Sequence, residues 1–168
     1  ILGAVALVVG FSFLAILTAL RMSELPRFLM LAGVSTLLFV GRLLASRRKS
    51  TGLLGSWLRS AAGALFLFGC LGSTAVPWLR WVTSPVQGYA LLGVGIAVNL
   101  YFALSGQGQF FASFHTLISL AALAVAPAEA PAMGVAMIVT AACSTPAYRR
   151  PWGLHLLLTV STFFAFFV

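Results

Sequence analysis

Charge in this chain is confined to the joints between long apolar runs, and that confinement limits the folds open to it. Ten residues are Lys or Arg and two are acidic, while 61% of the chain is hydrophobic. A domain folded in water carries about a quarter of its residues as charges and turns them to solvent. With 7% charged residues no such face exists. The apolar segments are therefore expected to lie in lipid, as α-helices that satisfy their own backbone groups. The net charge of +8 invites a nucleic-acid reading, but the basic residues form no stripe with interleaved aromatics. Nucleic acid is not expected as a partner.

Seven apolar runs fill the chain: 1–20, 28–46, 60–82, 88–105, 109–126, 132–145 and 152–168. Crossing ~30 Å of hydrocarbon at ~1.5 Å per residue takes about 20 residues. The expected architecture is therefore one all-α, polytopic transmembrane helix bundle of about seven spans, forming a single domain. No A-x-A site closes the first run, so it reads as a span rather than a cleaved leader. Ser50 to Arg59 reads as a linker whose Leu53, Leu54 and Trp57 lie in the interface. The join at Pro127-Ala128-Glu129-Ala130-Pro131 is either a turn between two spans or a kink within one. The sixth run is short enough to be re-entrant.

Basic residues arbitrate, because Lys and Arg accumulate in short cytoplasmic loops. With seven spans, one side receives Arg42, Arg47, Arg48, Lys49, Arg59, Arg149 and Arg150. The other receives Arg21, Arg27 and Arg80 with both acids, Glu24 and Glu129. Merging the fifth and sixth runs moves Arg149 and Arg150 across and erases the bias. The expected topology is thus seven spans with the N-terminus cytoplasmic. Trp78 and Trp81 then fall near the outer interface, and Trp57, Tyr148 and Trp152 near the inner one, where aromatic residues are enriched. The cytoplasmic arginines and Lys49 set topology and attract anionic lipid headgroups. Arg80 is expected to snorkel to the outer interface and to pair with Glu129.

Small residues suggest where helices meet. Ala132, Ala136, Thr140 and Ser144 recur every four residues, a smooth stripe on one helical face; Gly69, Ser73 and Gly95 serve likewise. Such stripes pack within the bundle or dock another chain.

Buried polar groups in a membrane segment are the first places to look for function. Here they are Asn99, His115 and His155, with the Cys143 thiol a weaker member. In the seven-span topology all four fall in the cytoplasmic half, His115 ~9 Å and His155 ~4.5 Å from their span ends at ~1.5 Å per residue. Two imidazoles at similar depth could ligate a haem iron or a metal, relay protons, or simply join helices by hydrogen bonds. No intramembrane carboxylate completes such a site. Motifs for nucleotides, zinc proteolysis and serine hydrolases of the Gly-x-Ser-x-Gly type are absent from the sequence. Three roles stay open: a non-catalytic membrane subunit or scaffold packing against other subunits; a carrier or channel for a small neutral molecule, with Asn99, His115 and His155 lining its pocket; and a haem- or metal-binding redox protein. A sensory membrane domain is a fourth.

Overall fold

Proline and glycine set the helix ends. In a computed structural model that describes residues 21–45, 52–105, 108–126 and 130–167, six helices follow one another. They are α1 (Glu24–Ala45), α2 (Gly52–Ala75), α3 (Pro85–Leu104), α4 (Gln109–Val125), α5 (Ala130–Arg149) and α6 (Gly153–Phe167). No strand occurs among the described residues. The expected first span, 1–20, and the triplet Arg47, Arg48, Lys49 lie outside them. Three helices are long and apolar enough to cross a membrane, over Glu24–Leu44, Leu54–Ala75 and Pro85–Leu104; α4, α5 and α6 carry shorter apolar stretches.

The ends have local causes. Pro77 disfavours helical geometry at Val76, so α2 stops at Ala75 and 76–84 is a loop. Ser84 is extended at φ −78° and ψ 123°, and Pro85 opens α3, where its missing N–H costs nothing. α4 begins after Gly108 and ends at an extended Ala126, next to Pro127. Two boundaries differ from the apolar pattern. α2 begins at Gly52, inside the expected linker, because Arg59 does not break it: its long side chain leaves the helix and donates to Ser105 Oγ at 3.3 Å. α5 runs for 20 residues through Pro146, well past the short sixth run.

Neighbouring helices pack antiparallel in chain order. α1 lies on α2, with Ser35 Oγ donating to the Ala62 carbonyl at 2.8 Å and Gly69 facing Phe28 and Leu31. α2 and α3 approach most closely where small residues face each other. A Cβ at Gly95 would stand 2.8 Å from Cys70 Cβ and 3.4 Å from Leu67 Cα. One at Gly63 would meet Asn99 Oδ1 at 3.1 Å. α4 then packs on α2, α3, α5 and α6, and Leu67, Leu92, Ile96, Leu100, Leu120, Leu123, Val139 and Cys143 belong to one core. Hydrophobicity alone does not join helices in lipid, so close approach and interhelical hydrogen bonds hold such a bundle together.

Gly95→Val is therefore expected to force α2 from α3 and lower the melting temperature in mild detergent, at an overpacking cost of ~1–3 kcal/mol. Gly93→Val, where a Cβ meets nothing within 4 Å, should leave melting near wild type. Thermal unfolding followed by fluorescence-detected size exclusion compares the two; equal melting would show that the α2–α3 contact is not tight.

Candidate functional site

α4 is the helix on which the polar interior is organised. Ser113 and His115 are two residues apart, and at ~100° per residue they leave the helix on nearly opposite sides. Each side of α4 meets a different set of helices, and each carries a histidine hub.

The first hub joins α2, α3 and α4. Asn99 Nδ2 donates to Ser119 Oγ at 2.9 Å and to the His115 carbonyl at 3.2 Å. Its Oδ1 is thus the acceptor 2.6 Å from His115 Nδ1, which fixes the proton on Nδ1. His115 Nε2, without a proton in the neutral ring, accepts from the Ser60 hydroxyl at 2.6 Å. The imidazole and the amide are fully buried, and their polar atoms are all engaged. Gly63 makes the arrangement possible, because a side chain there would press on Asn99. Beside the hub, Trp57 meets Phe111 edge-on with centroids 5.2 Å apart, one turn from Ser60 and His115 respectively.

The second hub joins α4, α5 and α6. His155 Nε2 donates to the Cys143 carbonyl at 2.8 Å. Nδ1 then accepts from Ser113 Oγ at 3.0 Å, although that hydroxyl also lies 3.0 Å from the Gln109 carbonyl. One hydroxyl proton serves either acceptor. Trp152 stands edge-on to the ring at 5.8 Å. Cys143 takes part through its backbone, and its thiol, in no disulfide, is buried beside Thr116. One turn beyond His155, Thr159 Oγ1 is buried with no hydrogen-bond partner.

Of the four polar candidates, Asn99 and His115 share a hub, while His155 and the Cys143 carbonyl form another. The structure brings the two imidazoles to no common centre: each of the four ring nitrogens is engaged by a protein group. Among the described residues no three His, Cys, Asp or Glu side chains cluster to hold a metal ion. The arrangement joins helices and offers no open ligand position. Two cavities occur at the bundle ends, one beside Arg80 and one beside Pro146 and Arg150. Asn99, His115 and His155 are not among the described residues that line these two.

The packing candidates have clear places. Ala132 and Ala136 are buried, but the Thr140 and Ser144 hydroxyls donate back to the Ala136 and Thr140 carbonyls, both at 2.8 Å. Ser73 donates to the Gly69 carbonyl at 2.7 Å and accepts from Trp81 Nε1 at 2.9 Å. Arg150 lies over the Trp152 ring at 4.9 Å; the Arg149 side chain falls outside the described set. Sequence reasoning missed Ser60, Ser113 and Ser119. Ser60 is the first residue of the apolar run 60–82, so its place in the run did not mark it as interior. Its signal was a hydroxyl three residues before Gly63, on nearly the same helical face.

Compared with known proteins, the chain matches no family model, no curated protein and no solved structure.

Ser60→Ala and Asn99→Ala are expected to couple through His115 in a double-mutant cycle, by roughly 0.5–2 kcal/mol. Asn99→Ala and Ser113→Ala, in separate hubs, should add within ~0.5 kcal/mol. Detergent unfolding of the three single and two double variants measures both, and additivity of the first pair would dissolve the hub.

Proposed function

We propose that this protein is an integral membrane subunit that packs within a larger membrane complex. In this reading the chain spans the bilayer about seven times from a cytoplasmic N-terminus, with its arginine-rich end against anionic lipid. The observation that carries the reading is that buried Asn99, His115 and His155, with Ser60, Ser113, Ser119 and the Cys143 carbonyl, hydrogen-bond in two sets that together join five helices. Polar groups used in this way give a rigid body rather than a moving carrier. Large apolar side chains meanwhile face outward, Leu37 at 71% exposure and Ile138 at 69%, and supply surface for lipid and for neighbouring chains.

The test is extraction of the tagged full chain, at native expression, in a mild detergent, followed by native mass spectrometry. A stoichiometric membrane chain that crosslinks to photoreactive residues at Leu37 or Ile138 is the expected result. A lone, well-folded monomer lacking such crosslinks would end the subunit reading.

One observation favours a second reading. Ser60 Oγ to His115 Nε2 and His115 Nδ1 to Asn99 Oδ1, both 2.6 Å, have the connectivity of nucleophile, base and orienting group in a serine hydrolase. Ser60 would attack the acyl carbon of an ester while Nε2 takes its proton, and Nε2 would return that proton to the departing alcohol oxygen as the acyl–oxygen bond breaks. The subunit reading ranks above it, because Ser60 is 9% exposed and neither cavity reaches it. A lipid-tailed fluorophosphonate separates the two: labelling of wild type that disappears in Ser60→Ala supports the hydrolase, and equal labelling of both excludes it.

A further inference from the structure

At the end of the bundle remote from Arg59, the loop 76–84 is held in place from several directions. Val82 N donates to the Ser73 carbonyl at 3.2 Å, and Trp81 Nε1 donates to Ser73 Oγ at 2.9 Å. Arg27 donates to the Trp78 carbonyl, while Phe28 packs on Trp81 with centroids 5.5 Å apart. Leu79 is buried beneath the loop at 1% exposure against Gly72, where a Cβ would come within 2.6 Å of Leu79 Cδ1. Gly88 gives the same close approach between α3 and Thr74, 2.6 Å from a built Cβ to Thr74 Cγ2. The loop is thus a fixed part of the fold.

This fixed loop walls a half-open cavity of about 230 Å³. Buried Val82, Leu92 and Ala126 give it an apolar side, and Arg80, Thr83 and Ser84 line it with one guanidinium-bearing and two hydroxyl-bearing side chains; the Thr74 hydroxyl is turned to the Leu71 carbonyl at 3.0 Å. No carboxylate is among the described lining residues. A drug-sized ligand needs about 300–1,000 Å³, so this volume suits a smaller group. A guanidinium beside hydroxyls is the donor set that phosphate oxygens seek, since Arg offers them a planar pair of N–H groups. The apolar side excludes a fully hydrated polyanion and suits the carbon framework attached to a phosphate.

We propose that the Arg80 cavity binds the phosphate of a phospholipid headgroup, with Arg80 as the cation, Thr83 and Ser84 as neutral donors, and the glycerol carbons over Leu92. Two further features agree. Trp78, 52% exposed, and Trp81 stand at the same end, and Trp is enriched at the headgroup level of a bilayer. The site lies at the opposite end of the helices from Arg42, Arg59 and Arg150, so it is separate from lipid attraction by that basic end. The chemistry recognised is the phosphate monoanion; a free phosphate offers the same oxygens without the carbon framework.

Full-length protein in a phosphate-free, non-ionic detergent is the sample, and native mass spectrometry with melting temperature is the readout. Phosphatidylglycerol, diacylglycerol and inorganic phosphate are added separately. The expected result is a retained phosphatidylglycerol adduct and a raised melting temperature, neither given by diacylglycerol. Arg80→Gln should weaken the adduct at least tenfold, and Thr83→Val with Ser84→Ala several-fold. Arg150→Gln, at the other end, should leave the melting shift intact. Stabilisation by inorganic phosphate equal to that by the lipid would overturn the lipid assignment. An adduct and melting shift indifferent to Arg80→Gln would overturn the site altogether. Glu129→Gln guards against an internal occupant: binding that appears only in this variant would give the cavity to the Glu129 carboxylate and sink the proposal. Circular dichroism of Arg80→Gln, an exposed loop position, checks that the variant remains folded.

Discussion

A polar side chain shut inside a bundle this apolar has no water to bond, and the organisation of the protein follows from how that demand is met. Leaving one donor or acceptor unsatisfied costs about 1–3 kcal/mol, comparable to the interhelical packing it would disturb. Asn99 has donors and an acceptor to satisfy, and it finds Ser119, the His115 carbonyl and the His115 ring at once. That set of bonds fixes the rotation of α3 and α4 about their axes. Ser60 then brings α2 to the same point. Gly63 and Gly95 are the steric counterpart, for without them α2 could not come close enough to α3 for the hydroxyl to reach the ring.

The second hub repeats the principle with a different division of labour. His155 reaches a backbone carbonyl of α5 rather than a side chain, so α6 is tied to the path of the α5 main chain. Ser113, with two acceptors for one proton, has more freedom than any group of the first hub. Thr159 is left with a buried and unpartnered hydroxyl. The α4–α5–α6 side is thus the less completely satisfied half of the interior.

The proposed function rests on this division between interior and ends. The histidines of the interior are fully buried and engaged by hydrogen bonds within the bundle. The chemistry that can meet other molecules lies at the bundle ends, where Arg80, Thr83 and Ser84 line one cavity and Pro146 and Arg150 line another. Along the sides, α1 turns Leu29, Leu37 and Leu44 outward. These are the surfaces that lipids and neighbouring chains would meet.

Much of the helical framework was legible in the residues themselves. Scarce charge and long apolar runs dictate helices, and Pro77, Pro85 and Gly108 stop or start them through local backbone sterics that need no partner. The polar interior was legible only as a short set of names, Asn99, His115 and His155. Their partners were not. Ser60 and His115 are 55 positions apart, and Ser113 and His155 are 42 apart; whether they meet depends on the rotation and register of two helices. A change of one residue in register turns a side chain by ~100°, enough to break a 2.6 Å bond. Identity and spacing determined what each segment becomes; the mutual packing of the segments decided which polar atoms satisfy each other and which cavities are left.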